Sequence, residues 1–218
     1  MIRSRICLLP LLLVAGAAGA DNSDLDVDKV NGSIHIPDNA TVGKLSTVNG
    51  GIYVGVNARI RSAETVNGGI DLDNGATADS LETVNGGIHV GEQDKVSGAI
   101  EAVNGSITLK PGADVSGHVS NVNGGIRLEQ AHVGGGIETS SGDISIGANS
   151  RVEGGLLVNE DHSWFHVGSR KVRVVIGPHA TVQGTLQFKR EVELYVSDSA
   201  TVGKIEGATA QKFSGDHP

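Results

Sequence analysis

The chain has 218 residues, 38% of them hydrophobic but only 3% aromatic, with one cysteine and a net charge of −8 at pH 7. That acidity argues against nucleic acid and against anionic membrane surfaces as partners. A lone cysteine cannot close an internal disulfide, so packing alone has to hold the fold together.

Residues 1–20 have the pattern of a secretory signal peptide. Arg3 and Arg5 form a positive end, Cys7 to Ala15 an apolar run, and Ala18-Gly19-Ala20 a small-residue cleavage site. The run is too short to span a bilayer. Cys7 lacks the small residues that precede a lipidated cysteine. Cleavage after Ala20 would leave 198 residues, no cysteine and a net charge of −10. No other stretch is apolar enough to cross a membrane. The expectation is a periplasmic, cell-surface or secreted protein. Residues 21–29 then read as an N-terminal cap strand, with Asp24, Asp26 and Asp28 alternating with Leu25 and Val27 so that one side is acidic and repels an incoming edge.

From residue 30 the chain repeats itself. Val-Asn-Gly recurs with its asparagine at Asn31, Asn49, Asn67, Asn85, Asn104 and Asn123, and Ser140-Ser141-Gly142 fills the next slot. The steps are 18 or 19 residues. A fixed short period rich in Val, Ile, Thr and Gly points to strands stacked coil on coil rather than to helical repeats. Aligned on the asparagine, four apolar columns emerge. One runs from Ile34 through Ile88 to Ile144, and a second from Ile36 through Val90 to Ile146. A third runs from Val42 to Val152 and a fourth from Leu45 to Leu156. The pattern Ile-x-Val places its outer residues on one face of a strand. With the valine before each asparagine also assigned inward, each coil contributes about six aliphatic side chains to the core. The predicted fold is all-β: a single-stranded parallel β-solenoid (β-helix) of about nine short coils over residues 30–205, roughly 43 Å long at 4.8 Å per coil.

The Asn-Gly pair has a backbone reading. Both residues tolerate positive φ, and each coil must turn a corner there. Identical asparagines on successive coils can also join in an amide ladder, a structural corner ladder of Asn31, Asn49, Asn67, Asn85, Asn104 and Asn123. The outward position between the first two apolar columns runs His35, Tyr53, Asp71, His89, Thr108, Arg127, Ser145 and has no common chemistry. Neither an ice-binding threonine stripe nor a calcium-binding nonapeptide array is supported. Glu64, Glu82 and Glu101 fall in one outward column on consecutive coils. They read as a solvated acidic face, with a weak divalent-cation site as the sharper alternative.

The coils of residues 30–158 give way to an insertion at 159–171, which carries the only tryptophan, Trp164, beside Phe165. These two form a possible binding loop; packing on the side of the solenoid is the plainer expectation. His162 and His166, four apart with Asp161 nearby, are the candidate metal ligands, although two histidines without a firm third ligand do not define a site. Final solenoid coils follow over 172–205, in steps of 20, and 206–218 reads as a polar C-terminal tail.

The phrase Ile176-Gly-Pro-His-Ala-Thr-Val-Gln-Gly-Thr-Leu resembles the repeat of the bactofilins, polymer-forming bacterial β-helices that lack a signal peptide. Val-Asn-Gly-Gly-Ile-x-Val equally resembles the exported β-strand-repeat proteins classed as adhesins. The likeness implies a stacking geometry and supplies no catalytic residues. The expected function is therefore non-enzymatic: an exported structural or interaction protein of the bacterial envelope, an adhesin-like or scaffold-forming rod. Its expected partners are a second copy, met through the C-terminal coil, or an envelope protein or polysaccharide, with no cofactor. One alternative is a polysaccharide- or metal-binding module using 159–171. A remote one is a polysaccharide-degrading β-helix enzyme, for which coils this short leave little loop to build a cleft.

Overall fold

A computed structural model describes residues 25–160 and 171–218. Among them every regular element is a strand, and the strands stack in parallel, in register, coil over coil. The clearest face is a ten-stranded sheet beginning with Ile34–Ile36, Ile52–Val54, Ile70–Leu72 and Ile88–Val90. It continues through Ile107–Leu109, Ile126–Leu128, Ile144–Ile146, Val172–Ile176 and Val192–Ser197 to Ala210–Phe213. The chain is a β-solenoid of ten rungs on this face.

Two further faces complete each coil. On the second, short strands such as Thr77–Ala78, Lys95–Val96 and Asp114–Val115 stack on one another. On the third, Thr41–Asn49, Arg59–Asn67, Ser80–Asn85, Ile100–Asn104 and Val119–Asn123 pair so that asparagine sits over asparagine. The strands Thr41–Asn49 and Arg59–Asn67 run through the second face and on into the third. With a period of two, alternate side chains turn inward. Ile52, Ile70, Ile88, Ile107, Val96, Ile100 and Leu156 are all essentially without solvent contact. They belong to one continuous aliphatic column of core that runs from Ile34 to Val196.

Two expectations are corrected by this geometry. The valine before each asparagine points outward, not inward: Val48 is 40% exposed and Val30 is 54% exposed. The alternation that buries Leu45 also buries Thr47, two residues on, and therefore turns Val48 to solvent. The core position on this strand belongs to Thr47, Thr65, Thr83, Ala102, Asn121 and Thr139. The threonines are satisfied locally, since the hydroxyls of Thr65 and Thr83 donate to the carbonyls of Gly50 and Gly68 one coil earlier, each at 2.9 Å.

The second correction concerns the corner. A left-handed residue recurs between the first and second faces in eight coils, at Asn39, Asn57, Gly75, Gln93, Gly112, Gln130, Asn149 and His179, with φ between 49° and 78°. At the Asn-Gly corner Gly32, Gly105 and Gly124 do take positive φ, at 99°, 158° and 134°, and from Gly50 on the glycine also serves close approach. A Cβ on Gly68 would strike the carbonyl of Gly50, and one on Gly86 the carbonyl of Gly68. Successive coils touch there backbone to backbone.

The segment read as a polar tail is also partly structured. Ala210–Phe213 adds the tenth rung, with Leu194 beside Ala210 and Val196 beside Lys212. At the other end Val27–Asn31 pairs with the third face, and Asp26 accepts the backbone N–H of Lys44 at 2.7 Å.

Candidate functional surface

Among the described residues the core is filled mainly by aliphatic side chains, so the groups open to a partner there lie on the outward columns. The asparagine column is the most regular. Each Nδ2 donates to the Oδ1 of the asparagine one coil earlier: Asn49 to Asn31, Asn67 to Asn49, Asn85 to Asn67, Asn104 to Asn85 and Asn123 to Asn104, all at 2.9–3.0 Å. An amide is suited to this because it carries donor and acceptor on one planar group, so a stack can bond along its whole length. Each asparagine from Asn49 to Asn123 uses one of its two amide hydrogens in the ladder, and Asn31 accepts.

Beside it runs the valine column of Val30, Val48, Val66, Val84, Val103 and Val122. Five of these side chains are at least 38% exposed, and Val84 is partly so. Neither column continues into the later coils. In the valine column the register carries on through Ser140 and Asn159 to Lys189, and Ser141 takes the asparagine slot. Lys189 donates to Asn159 Oδ1 at 3.1 Å and Arg190 to the Ser140 carbonyl at 2.9 Å. The neutral, partly apolar stripe therefore stops within one coil and gives way to polar and basic groups.

Two residues before the valine, on the same outward side, stand Ser46, Glu64, Glu82, Glu101 and Ser120. The carboxylates do not converge on a common point. Glu64 meets Lys44 Nζ at 2.8 Å, and this hydrogen bond raises the affinity of Lys44 for its proton. Glu101 lies 3.2 Å from His118 Nε2. Glu82, between them, holds its proton more tightly than an ordinary glutamate, first because of partial burial and then because of Glu101 and Glu64. This is a partly bridged acidic column. Among the described residues, no three His, Cys, Asp or Glu side chains are grouped to hold a metal ion.

On the first face, His35 and Tyr53 stack at 4.7 Å, so each ring covers a face of the other. On the second, His132 bridges coils, with Nδ1 2.6 Å from Asp114 and Nε2 3.5 Å from Glu153. The candidates Asp161, His162, Trp164, Phe165 and His166 lie outside the described residues. The loop's near end is tied by Asn159, whose amide donates to Glu138 at 2.5 Å.

One chemically distinctive residue escaped the reading of the sequence. Asp94 is fully buried in a column otherwise filled by Ala40, Ala58, Ala76, Ala113, Ala131, Ser150, Ala180 and Ala200. It accepts the backbone N–H of Gly91 at 2.6 Å and of Ala76 at 2.8 Å. Burial pushes its pKa up to about 6, and those N–H donors hold it from going higher. The signal was present in the residue pairs that cross the left-handed corner, such as Asn57-Ala58, Gly112-Ala113 and Gln93-Asp94, where only one coil puts a carboxylate in the alanine slot.

Among the described residues, no helix is long and apolar enough to cross a membrane. Comparison with protein-family models, with curated proteins and with solved structures finds no match to this chain.

Proposed function

We propose that the protein is a non-enzymatic structural or interaction rod, exported to the bacterial envelope, that meets its partner along its side. The supporting observation is the lengthwise stripe of valines and asparagines, held through six successive coils on the outside of the molecule. Outward positions that serve only solubility drift in character, as the column from His35 to Ser145 does. A solvent-facing valine adds little to the core, so its repetition points to a surface under a shared requirement. The fold supplies the stiffness such a surface needs, because each rung is bonded to the next along three faces.

The test has two parts. Residues 1–20 fused to a reporter should carry it across the inner membrane of a bacterial host. A photocrosslinking amino acid at Val66 should trap a product in the intact envelope, while the same group at Arg59, on the second face, should not. A reporter retained in the cytoplasm, or equal crosslinking from both positions, would overturn the reading.

A further inference from the structure

We infer that the valine–asparagine stripe is a homodimer interface, in which two copies lie side by side with their long axes parallel. The inference rests on the interaction-rod reading and names the partner of its stripe. Three observations point to a second copy of this chain. The first is periodicity. Six valines repeat at the inter-strand spacing of about 4.8 Å, and a surface with the same repeat meets every rung. A second copy has that repeat by construction.

The second observation is charge. The chain carries −8 overall, so two copies repel across most of their surface. The stripe itself bears no ionised group from Val30 to Val122.

The third is the order of columns across the third face: glutamate, then valine two residues on, then asparagine next to it. A two-fold axis along the solenoid reverses this order in the partner. Valine then meets valine, and the asparagine ladder of one copy comes beside the Glu64–Glu82–Glu101 column of the other. The second amide hydrogen of Asn67, Asn85 and Asn104, level with Glu64, Glu82 and Glu101, can donate to those carboxylates across the interface. A two-fold axis at right angles to the solenoid would instead set glutamate column against glutamate column. The pairing is therefore parallel. The stripe is two residue columns wide over six coils, whereas a standard interface buries roughly 800 Å² per partner, so the dimer should be weak and concentration-dependent.

The experiment uses the whole chain with Cys7→Ser, which leaves it without cysteine. Sedimentation should show a monomer–dimer equilibrium that is lost when Val66→Lys and Val103→Lys are combined, and kept when the first-face residue Thr108→Lys is changed. Circular dichroism would report whether each variant retains its strand content. Orientation is read from single cysteines. Val48→Cys and Val103→Cys, each alone, should form an oxidised dimer with itself. A strict monomer at all concentrations would overturn the inference, as would dimers insensitive to the valine substitutions. Crosslinking that occurs only when the Val48→Cys and Val103→Cys proteins are mixed would mean an antiparallel pair and would overturn it as well. A monomer that still crosslinks from Val66 to another envelope component ends the dimer but leaves the interaction rod standing.

Discussion

Asp94 shows how a single side chain sets a property of the whole solenoid. Seven coils place alanine at this position and one places serine, so the stack does not require a carboxylate there. Its pKa is about 6 in the folded chain against an ordinary value of 3.8. Between those values the native state holds a proton that the unfolded chain has released, so stability falls as pH rises from about 4 to about 6. The loss should be on the order of 2–3 kcal/mol and be complete near neutrality. Asp94→Ala should remove that slope, and Gly91 N–H can then turn to the preceding coil's carbonyl, as Gly55 does to Ile36. Urea denaturation at pH 4, 5, 6 and 7 measures both proteins, and a parent as flat as the variant would contradict the account. Glu82 works in the same direction more weakly, because it is exposed. Glu82→Gln should raise the melting temperature slightly at pH 7, and the gain should shrink as the pH falls, because protonation removes the charge that burial and the neighbouring glutamates disfavour.

At the scale of the element, the coil is the unit, and its stability comes from repetition of bonds that are individually modest. Asn67 takes part in two ladder hydrogen bonds and Asn31 in one. Asn67→Ala should therefore cost about 1–2 kcal/mol, and Asn31→Ala about half as much, in thermal or urea unfolding. Equal costs would mean that the ladder adds nothing beyond each residue's own turn. Gly68→Ala should cost more than either, because its methyl group meets the Gly50 backbone, which cannot move without opening the coil. Much of this coil was legible in the sequence. The apolar columns through Ile34, Ile36, Val42 and Leu45 are periodic, and periodicity survives translation into structure because a strand has only two faces. The error at Val48 came from reading hydrophobicity without register. A threonine is a plausible surface residue and a valine a plausible core residue, yet alternation from Leu45 decides against both. The hydroxyl of Thr65 is accommodated in the core by a carbonyl that only the stacked coil supplies, and no local pattern announces it. The left-handed corner was hidden for a similar reason, since Asn, Gly, Gln and His share it and no single residue type marks it.

At the scale of the molecule, the question is how a stack of strands stops. A terminal rung exposes unpaired N–H and C=O groups and an apolar cross-section, and both invite another strand. On the first face the C-terminal segment supplies an answer. Ala210–Phe213 pairs with the edge of Val192–Ser197, and Ser214 bonds to Asp198 at 2.7 Å. In the inward column that runs through Ile36, Val90 and Val196, the last occupant is Lys212, which is exposed. An ammonium at that position would have to be buried against apolar side chains if a further rung were added, which is costly without a partner. The segment thus acts as a cap, and the expected consequence bears on the end-to-end association read from the sequence. The intact chain should not lengthen through this end. Deleting 207–218 uncovers Leu194 and Val196 at an open edge and should produce end-to-end oligomers, seen as elongated species by light scattering and electron microscopy. Lys212→Val in the full-length chain should produce them too, without loss of the strand, because it makes the last rung resemble an interior one. Adding Val196→Lys to the deletion should suppress assembly again by moving the charge to the newly exposed rung. If the truncated chain stays as dispersed as the parent at high concentration, the cap is not what limits the rod. The lateral stripe and the C-terminal edge are separable in this design, since the valine substitutions act on the side of the stack and Lys212 acts on its end.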